Sequence, residues 1–394
     1  MSREAAETRQ QALYRDPNLL IVFGVTLMAV LGVSSVTPAF PQIGRSLDLS
    51  SQAVGNIITA FTLPGVFLTP VLGILADRWS RERILVPSLM IFGLAGGACA
   101  LVRDFDLLMI LRFIQGIGAA ALSVLYVTLI GDLYSGKDRA TAMGYNASVL
   151  SVGTASYPAI GGALAMLGWH YPFALSVLAI PLGFAVKFGL KNPEPRSQQR
   201  LGVYLSQAWR SIKGRQAMGL FSLTLMTFII IYGAYLTYLP FLMERAFKAS
   251  SLVIGVTMSA MSLATALTSS QLGNLAKRCS EKRLLQVSCV LFALALLTIP
   301  SAPAVWSLGI PVVLLGVAQG LSIPSLQTLL AGLAPIEHRG AFMAANGMAL
   351  RLGQTVAPPL MGVTFSVWGT DGTFYAAAVV AGVMLVLTTT VIER

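Results

Sequence analysis

Long apolar segments are the feature that most constrains this chain. Twelve of them, each about 20 residues or more, follow one another between short polar stretches. A helix of about 20 residues crosses the roughly 30 Å hydrocarbon core of a bilayer, whereas barrel strands need only about ten residues. The predicted segments are 19–40, 52–75, 84–102, 106–133, 140–166, 169–190, 217–243, 252–276, 284–301, 304–333, 341–367 and 372–391. The sequence therefore predicts an all-α integral membrane protein with twelve transmembrane helices.

The charged residues agree with this assignment and predict an orientation. Only 11% of the residues are charged, whereas soluble proteins carry about 25%. Of the 27 Lys and Arg residues, 21 fall on the side of the predicted helices that holds both termini, and four fall on the opposite side. Because Lys and Arg are enriched in cytoplasmic loops, we expect a multi-pass cell-membrane protein with both termini in the cytoplasm. The net charge of +11 then reflects orientation, and we expect no nucleic-acid binding.

The chain also repeats itself. Residues 73–85 read GILADRWSRERIL, and residues 273–285 read GNLAKRCSEKRLL. Other residues recur between the two copies: Gly55 with Gly255, Arg139 with Arg339, Asn146 with Asn346, Gly153 with Gly353, Pro158 with Pro358 and Gly162 with Gly362. We therefore predict an N-terminal cytoplasmic segment (1–18), a six-helix half (19–190), a cytoplasmic linker (191–216) and a second six-helix half (217–394). Two six-helix repeats are typical of transporters whose substrate site lies between the halves.

Three stretches resemble motifs of the major facilitator superfamily. Residues 73–85 are similar to its loop motif G-x-L-x-D-R-x-G-R-R/K-x-x-L, and residues 112–120 (RFIQGIGAA) to its fourth-helix motif R-x-x-Q-G-x-G-x-A. Residues 153–162 (GTASYPAIGG) resemble the fifth-helix motif G-x-x-x-G-P-x-x-G-G, which points to the twelve-helix drug/proton antiporter branch. The chain as a whole resembles the aromatic compound/drug exporter group of that branch. Ser80, Glu82 and Tyr157 depart from these motifs.

The resemblance implies a mechanism. It implies alternating access of two six-helix halves that export small amphipathic compounds by proton-coupled antiport, with the proton gradient as energy source and no cofactor. In this family the acid at the position of Asp77 latches the halves against the start of helix eleven, where backbone N–H groups favour an anion. Lys277 replaces that acid in the second copy, so we expect asymmetric gating. The expected gating residues are Gly73, Asp77, Arg78, Arg81, Asp132, Arg139 and Arg339, and the expected hinge is Gly153, Pro158 and Gly162.

Two arginines lie within predicted helices, where an unpaired charge is costly. Arg351 falls near the middle of helix eleven, and Arg112 about two turns inside helix four. Each has a structural interpretation beside the functional one. All sixteen acids lie in loops or at helix ends, so the predicted cavity is positive and favours anionic, zwitterionic or neutral amphiphiles. The predicted cavity residues are Arg112, Gln115, Tyr126, Asn146, Tyr232, Tyr235, Asn346, Arg351 and Gln354.

Two other transport activities fit the same residues. Uptake of an anionic solute would use the two arginines equally well, and a lipid or lysolipid flippase would suit a cationic, amphipathic cavity. An enzyme fits poorly, because the sequence offers no paired carboxylates, histidine cluster or nucleophile–base set, and its three cysteines lack metal-ligand spacing. We expect a monomer in the lipid bilayer that binds a small amphipathic or anionic substrate.

Overall fold

The computed structural model describes residues 13–190, 214–333 and 339–392, without the side chains of residues 73, 74, 77, 78 and 339–341. All regular structure in these residues is helical. The first half contains α1 (Pro17–Ser46), α2 (Ser51–Arg78), α3 (Arg81–Cys99), α4 (Phe105–Leu133), α5 (Gly136–Leu167) and α6 (Tyr171–Gly189). The second half contains α7 (Arg215–Phe247), α8 (Ser251–Ala276), α9 (Glu281–Thr298), α10 (Val305–Leu333), and α11 and α12 within Arg339–Thr390.

The helices confirm the all-α membrane fold. By length and composition, ten helices in the described residues can cross a bilayer. Phe342–Thr390 counts once among them, although the non-helical backbone of Gly369 divides it into α11 (339–368) and α12 (370–390). Helix α9 is not among the ten, since its first turn holds Glu281, Lys282 and Arg283. These two helices, α9 and α12, correspond to the remaining two of the twelve predicted segments.

The internal repeat extends to the turns that start equivalent helices. Ser50 caps α2 and Ser250 caps α8, each accepting a hydrogen bond from the backbone N–H three residues further on. Two residues before each cap, Asp48 and Lys248 both adopt left-handed backbone conformations, with φ of 51° and 53°. The same turn is therefore built at positions 200 residues apart.

The ends of the bundle can be told apart by the chain termini. We call the end where residues 13 and 392 lie the terminal end, and the opposite end the distal end. The two halves contact each other mainly through two helix pairs, α5 with α8 and α2 with α11. In the first pair, a Cβ at Gly255 would overlap the Pro158 carbonyl oxygen, and one at Gly162 would overlap the Ser251 carbonyl oxygen. These contacts lie near the distal end, where α5 finishes and α8 begins.

One face of α11 shows where the halves separate. Near the distal end, Pro358 lies beside Gly55 of α2, and the Thr355 hydroxyl lies 3.0 Å from the Thr62 hydroxyl. Two turns toward the terminal end of α11, a Cβ at Gly347 would meet no atom of the described residues within 4 Å. The halves are therefore packed together at the distal end and leave open space toward the terminal end.

Candidate functional site

Arg112 and Gln115 lie in the interior of the first half. Arg112 is 1% exposed, and its guanidinium donates to Gly32 O (2.9 Å) and Gln115 Oε1 (2.7 Å). It also lies over the Phe61 ring, 4.3 Å from the centroid. Gln115 donates in turn to Ser176 Oγ of α6 at 2.8 Å. The structure thus gives these two predicted cavity residues partners from four helices of the first half, and their interactions tie those helices together.

Asn146 and Asn346 form equivalent pairs in the two halves. The Thr26 hydroxyl donates to Asn146 Oδ1 at 2.6 Å, which joins α1 to α5. The Thr224 hydroxyl donates to Asn346 Oδ1 at 2.7 Å, which joins α7 to α11. Both asparagines are buried. Tyr235 also makes its hydrogen bond within its own half, because its hydroxyl donates to Met258 O of α8 at 3.0 Å.

The other four predicted cavity residues come together around Arg351. Its Nη1 donates to Gln354 Oε1 at 3.0 Å, and Gln354 lies beside the Tyr232 side chain. The guanidinium interacts electrostatically with Tyr126 of α4 and Tyr232 of α7. Its Nε lies 3.3 Å from where a Cβ on Gly65 of α2 would stand. We refer to Tyr126, Tyr232, Arg351 and Gln354 as the Arg351 cluster, and it includes residues from both halves.

The Arg351 cluster lies where the closed contact between the halves ends. On one face of α11, Thr355 contacts α2 one turn to the distal side, and Gly347 borders open space one turn to the terminal side. Arg351 is partly exposed, in contrast to Arg112. A solute that entered the opening would therefore meet the Arg351 guanidinium at its closed end.

Two of the predicted gating residues contact each other at the terminal end. Arg81 Nε, at the start of α3, donates to Asp132 Oδ2, near the end of α4, at 2.9 Å. Arg139 donates to the carbonyls of Gly131 (2.7 Å) and Tyr134 (3.0 Å), where cations stabilise a helix C-terminus. All these contacts lie within the first half. The side chains of Asp77, Arg78 and Arg339, and the position of a Cβ on Gly73, lie outside the described part, so the predicted latch stays a prediction.

A further contact at this end involves Tyr134. Its hydroxyl donates to Asp16 Oδ2 at 2.7 Å, and Asp16 also caps α1 by accepting from Asn18 N at 2.9 Å. Burial raises the pKa of Tyr134 well above its usual value, and the hydrogen bond to Asp16 adds to that rise. This contact joins the start of α1 to the turn between α4 and α5.

The three predicted hinge residues divide between two neighbours. A Cβ at Gly153 would lie 2.8 Å from Leu27 Cδ2 of α1, so this glycine packs within the first half. Pro158 and Gly162 instead pack against α8. Next to the proline, the N–H of Ala159 donates to Ser259 Oγ of α8 at 3.1 Å. The backbone N–H that follows Pro158 thus forms a hydrogen bond across the interface between the halves.

The sequence analysis missed an ionic contact between the halves at the distal end. Arg45 of α1 forms an ion pair with Glu244 of α7. Nearby, Arg245 Nη2 donates to Ser51 Oγ of α2 at 3.0 Å. Arg45 and Arg245 occupy equivalent positions in the two copies of the repeat, 200 residues apart, and each contacts the other half. This equivalence is the signal in the sequence that could have predicted polar contacts between the halves at this end. Among the described residues, no three His, Cys, Asp or Glu side chains form a group that could hold a metal ion.

Comparisons with known proteins agree with this architecture. A family model described as the Major Facilitator Superfamily matches residues 22–247 and 232–394. The Bacillibactin exporter of Bacillus subtilis (strain 168) is 24% identical over 365 residues, covering 89% of this chain and 90% of its own. Multidrug resistance protein 2 of the same organism is 23% identical over 353 residues and covers 88% of both chains.

A solved structure shows the same fold. The bacterial homologue of the human lysosomal transporter Spinster, in its inward-facing and unoccupied conformation, superposes with a TM-score of 0.81 at 15% identity. The superposition covers 96% of this chain and 98% of that one.

Proposed function

The chain belongs to the Major Facilitator Superfamily, and from this premise we propose that it exports small amphipathic compounds by alternating access of its two halves. The observation that carries the proposal is the position of the Arg351 cluster. It includes residues of both halves and stands where their packed distal contact meets the open space toward the terminal end. A site at that position can face one side of the membrane and then the other as the halves rock.

Export is supported by the similar proteins whose function is named. One is called an exporter of bacillibactin and another a multidrug resistance protein, and each aligns with nearly nine-tenths of this chain. We propose that both termini are cytoplasmic, because 21 of the 27 Lys and Arg residues flank that side. With that orientation, the open terminal end faces the cytoplasm, where an exporter collects its substrate. The protein would act as a monomer in the cell membrane and leave its substrate chemically unchanged.

Proton-coupled antiport is the energy source we propose. The acid nearest to the membrane interior in the sequence is Asp132, which accepts a hydrogen bond from Arg81 Nε at 2.9 Å. This ion pair connects the start of α3 to the end of α4 at the terminal end. We propose that proton coupling takes place at this end, while the substrate binds separately at the Arg351 cluster.

Transport into oriented vesicles tests this function. Purified protein is reconstituted, and uptake of aromatic amphiphiles of negative, zero and positive charge is followed in inside-out and right-side-out vesicles. We expect accumulation in inside-out vesicles with an acidic lumen, and its loss when an ionophore removes the pH gradient. Protein-free vesicles serve as control.

Other outcomes would assign another activity. The partly exposed Arg351 guanidinium would also suit uptake of an anionic solute, and accumulation only in right-side-out vesicles would replace export by uptake. Failure of every amphiphile together with translocation of a labelled lysolipid would replace it by lipid flipping.

A further inference from the structure

The two arginines inside the membrane differ in how many of their guanidinium N–H donors have acceptors in the protein. A guanidinium carries five N–H donors and no acceptor. Arg112 directs its donors to Gly32 O, Gln115 Oε1 and, at 3.5 Å, Ile57 O, and it lies over an aromatic ring. Within the described residues, the guanidinium of Arg351 makes one hydrogen bond, from Nη1 to Gln354 Oε1. Arg112 thus finds three acceptors within its own half, whereas the Arg351 guanidinium finds one among the residues that the structure describes.

Among the described residues, neither ion pair, Arg45–Glu244 or Arg81–Asp132, includes Arg351. All sixteen acids of the chain lie in loops or at the ends of the apolar segments, and Arg351 lies near the middle of one. Charges within a membrane are normally paired or placed against water or a ligand, because hydrocarbon solvates them poorly. The neighbouring hydroxyls of Tyr126 and Tyr232 can donate to an anion, and an ordinary tyrosine, with a pKa of about 10, supplies no negative charge at neutral pH.

We infer that the substrate is an amphipathic organic anion, and that Arg351 is its counter-ion at the closed end of the opening. This inference rests on the proposed function and names its substrate class. The planar guanidinium matches a carboxylate, to which it can donate two parallel hydrogen bonds. The hydroxyls of Tyr126 and Tyr232 donate to the same acid group, and their rings contact the apolar part of the substrate.

The position of Arg351 adds specificity between substrates. A neutral amide of the same shape binds less tightly, because it leaves the guanidinium without a counter-ion. An organic cation is repelled, since the cluster offers a positive charge and no acid. Arg351 is therefore the residue that determines specificity, whereas Gln354 positions it through the 3.0 Å hydrogen bond from Nη1.

Binding to the purified full-length chain tests this directly. The probes are 1-naphthoate, 1-naphthamide and 1-naphthylmethylammonium, and the readout is the rise in melting temperature with probe concentration. We expect 1-naphthoate to bind at least tenfold more tightly than the other two. Arg351→Gln should weaken 1-naphthoate at least tenfold and remove its advantage over 1-naphthamide. Arg351→Lys should keep part of the preference for 1-naphthoate, because the positive charge remains. It should not keep all of it, because an ammonium cannot donate the two parallel hydrogen bonds of a guanidinium.

Two further variants keep the result interpretable. Ser151→Gln introduces the same side chain at the equivalent position of the first half, and it should bind 1-naphthoate like the wild type. Should Arg351→Gln fail to fold, Tyr232→Phe removes one donor hydroxyl, and it should weaken 1-naphthoate several-fold while 1-naphthamide changes less. The inference would be overturned if the wild-type protein bound 1-naphthoate no more tightly than the other two probes. It would also be overturned if Arg351→Gln bound 1-naphthoate as tightly as the wild type does.

The binding readout separates this inference from the proposed function. Binding of 1-naphthoate through Arg351 without transport in either vesicle orientation would refute export and retain the anion site. Export of the cationic probe that Arg351→Gln leaves unchanged would refute the anion site and retain export.

Discussion

At the scale of single residues, the two arginines within the membrane helices show what sequence reasoning can and cannot reach. Their depth in apolar segments is visible in the sequence, so both could be singled out as unusual charges. Which of them is satisfied internally depends on neighbours far away in the chain, such as Gly32 for Arg112 and Tyr126 for Arg351. The sequence therefore placed both in one cavity, and the structure surrounds Arg112 with residues of the first half.

This difference predicts unequal effects of the same substitution. Arg112→Lys should lower the free energy of unfolding by about 3 kcal/mol, because an ammonium cannot replace both charge-assisted hydrogen bonds, each worth roughly 1.5–3 kcal/mol. Arg351→Lys should cost less than about 1 kcal/mol, since a lysine ammonium can still donate the one hydrogen bond that the guanidinium makes to the protein. Thermal and denaturant unfolding in detergent, without ligand, measures both. Equal losses would contradict the distinct roles given to the two arginines.

At the scale of helices, the repeat predicts which helices pair but not how closely. Matched glycines such as Gly55 with Gly255 can be found from the sequence alone. In the structure, a Cβ on Gly255 would lie 2.2 Å from the Pro158 carbonyl oxygen and would overlap it. A Cβ on Gly55 would lie 3.4 Å from Pro358 Cβ, which leaves room for a methyl group. The distance of closest approach is set by the residues across the interface, so a repeat within one chain could not reveal this asymmetry.

Substitution of matched glycines tests the asymmetry. Gly255→Ala would force α8 away from the backbone of α5, and overpacking of this kind costs roughly 1–3 kcal/mol. The distal contact should therefore open more often, which lowers disulfide cross-linking between cysteines introduced at Ser46 and Ala246. Gly55→Ala is the control, because its Cβ would stand 3.0 Å from Thr237 Cγ2 and 3.4 Å from Pro358 Cβ, where side chains can adjust. Equal cross-linking in the two variants would show that the close approach at Gly255 is unimportant.

At the scale of the whole molecule, the fold is the part that the sequence predicted best. Apolar segment length and the 200-residue repeat lead to the helical architecture, and the family model and solved structures agree. The conformation could not be predicted, because a transporter sequence encodes more than one arrangement of its halves. Contacts such as the Arg45–Glu244 ion pair and the Ala159–Ser259 hydrogen bond belong to the arrangement with a packed distal end.

The central claim is that the two ends of the bundle open in alternation, and paired distance measurements test it most directly. Spin labels are placed at Ser46 and Ala246 for the distal end, and at Lys137 and Asn274 for the terminal end, all exposed positions. Acidification and addition of 1-naphthoate should lengthen the distal distance and shorten the terminal distance in the same fraction of molecules. Distances that change at one end only, or in the same direction at both ends, would contradict alternating access.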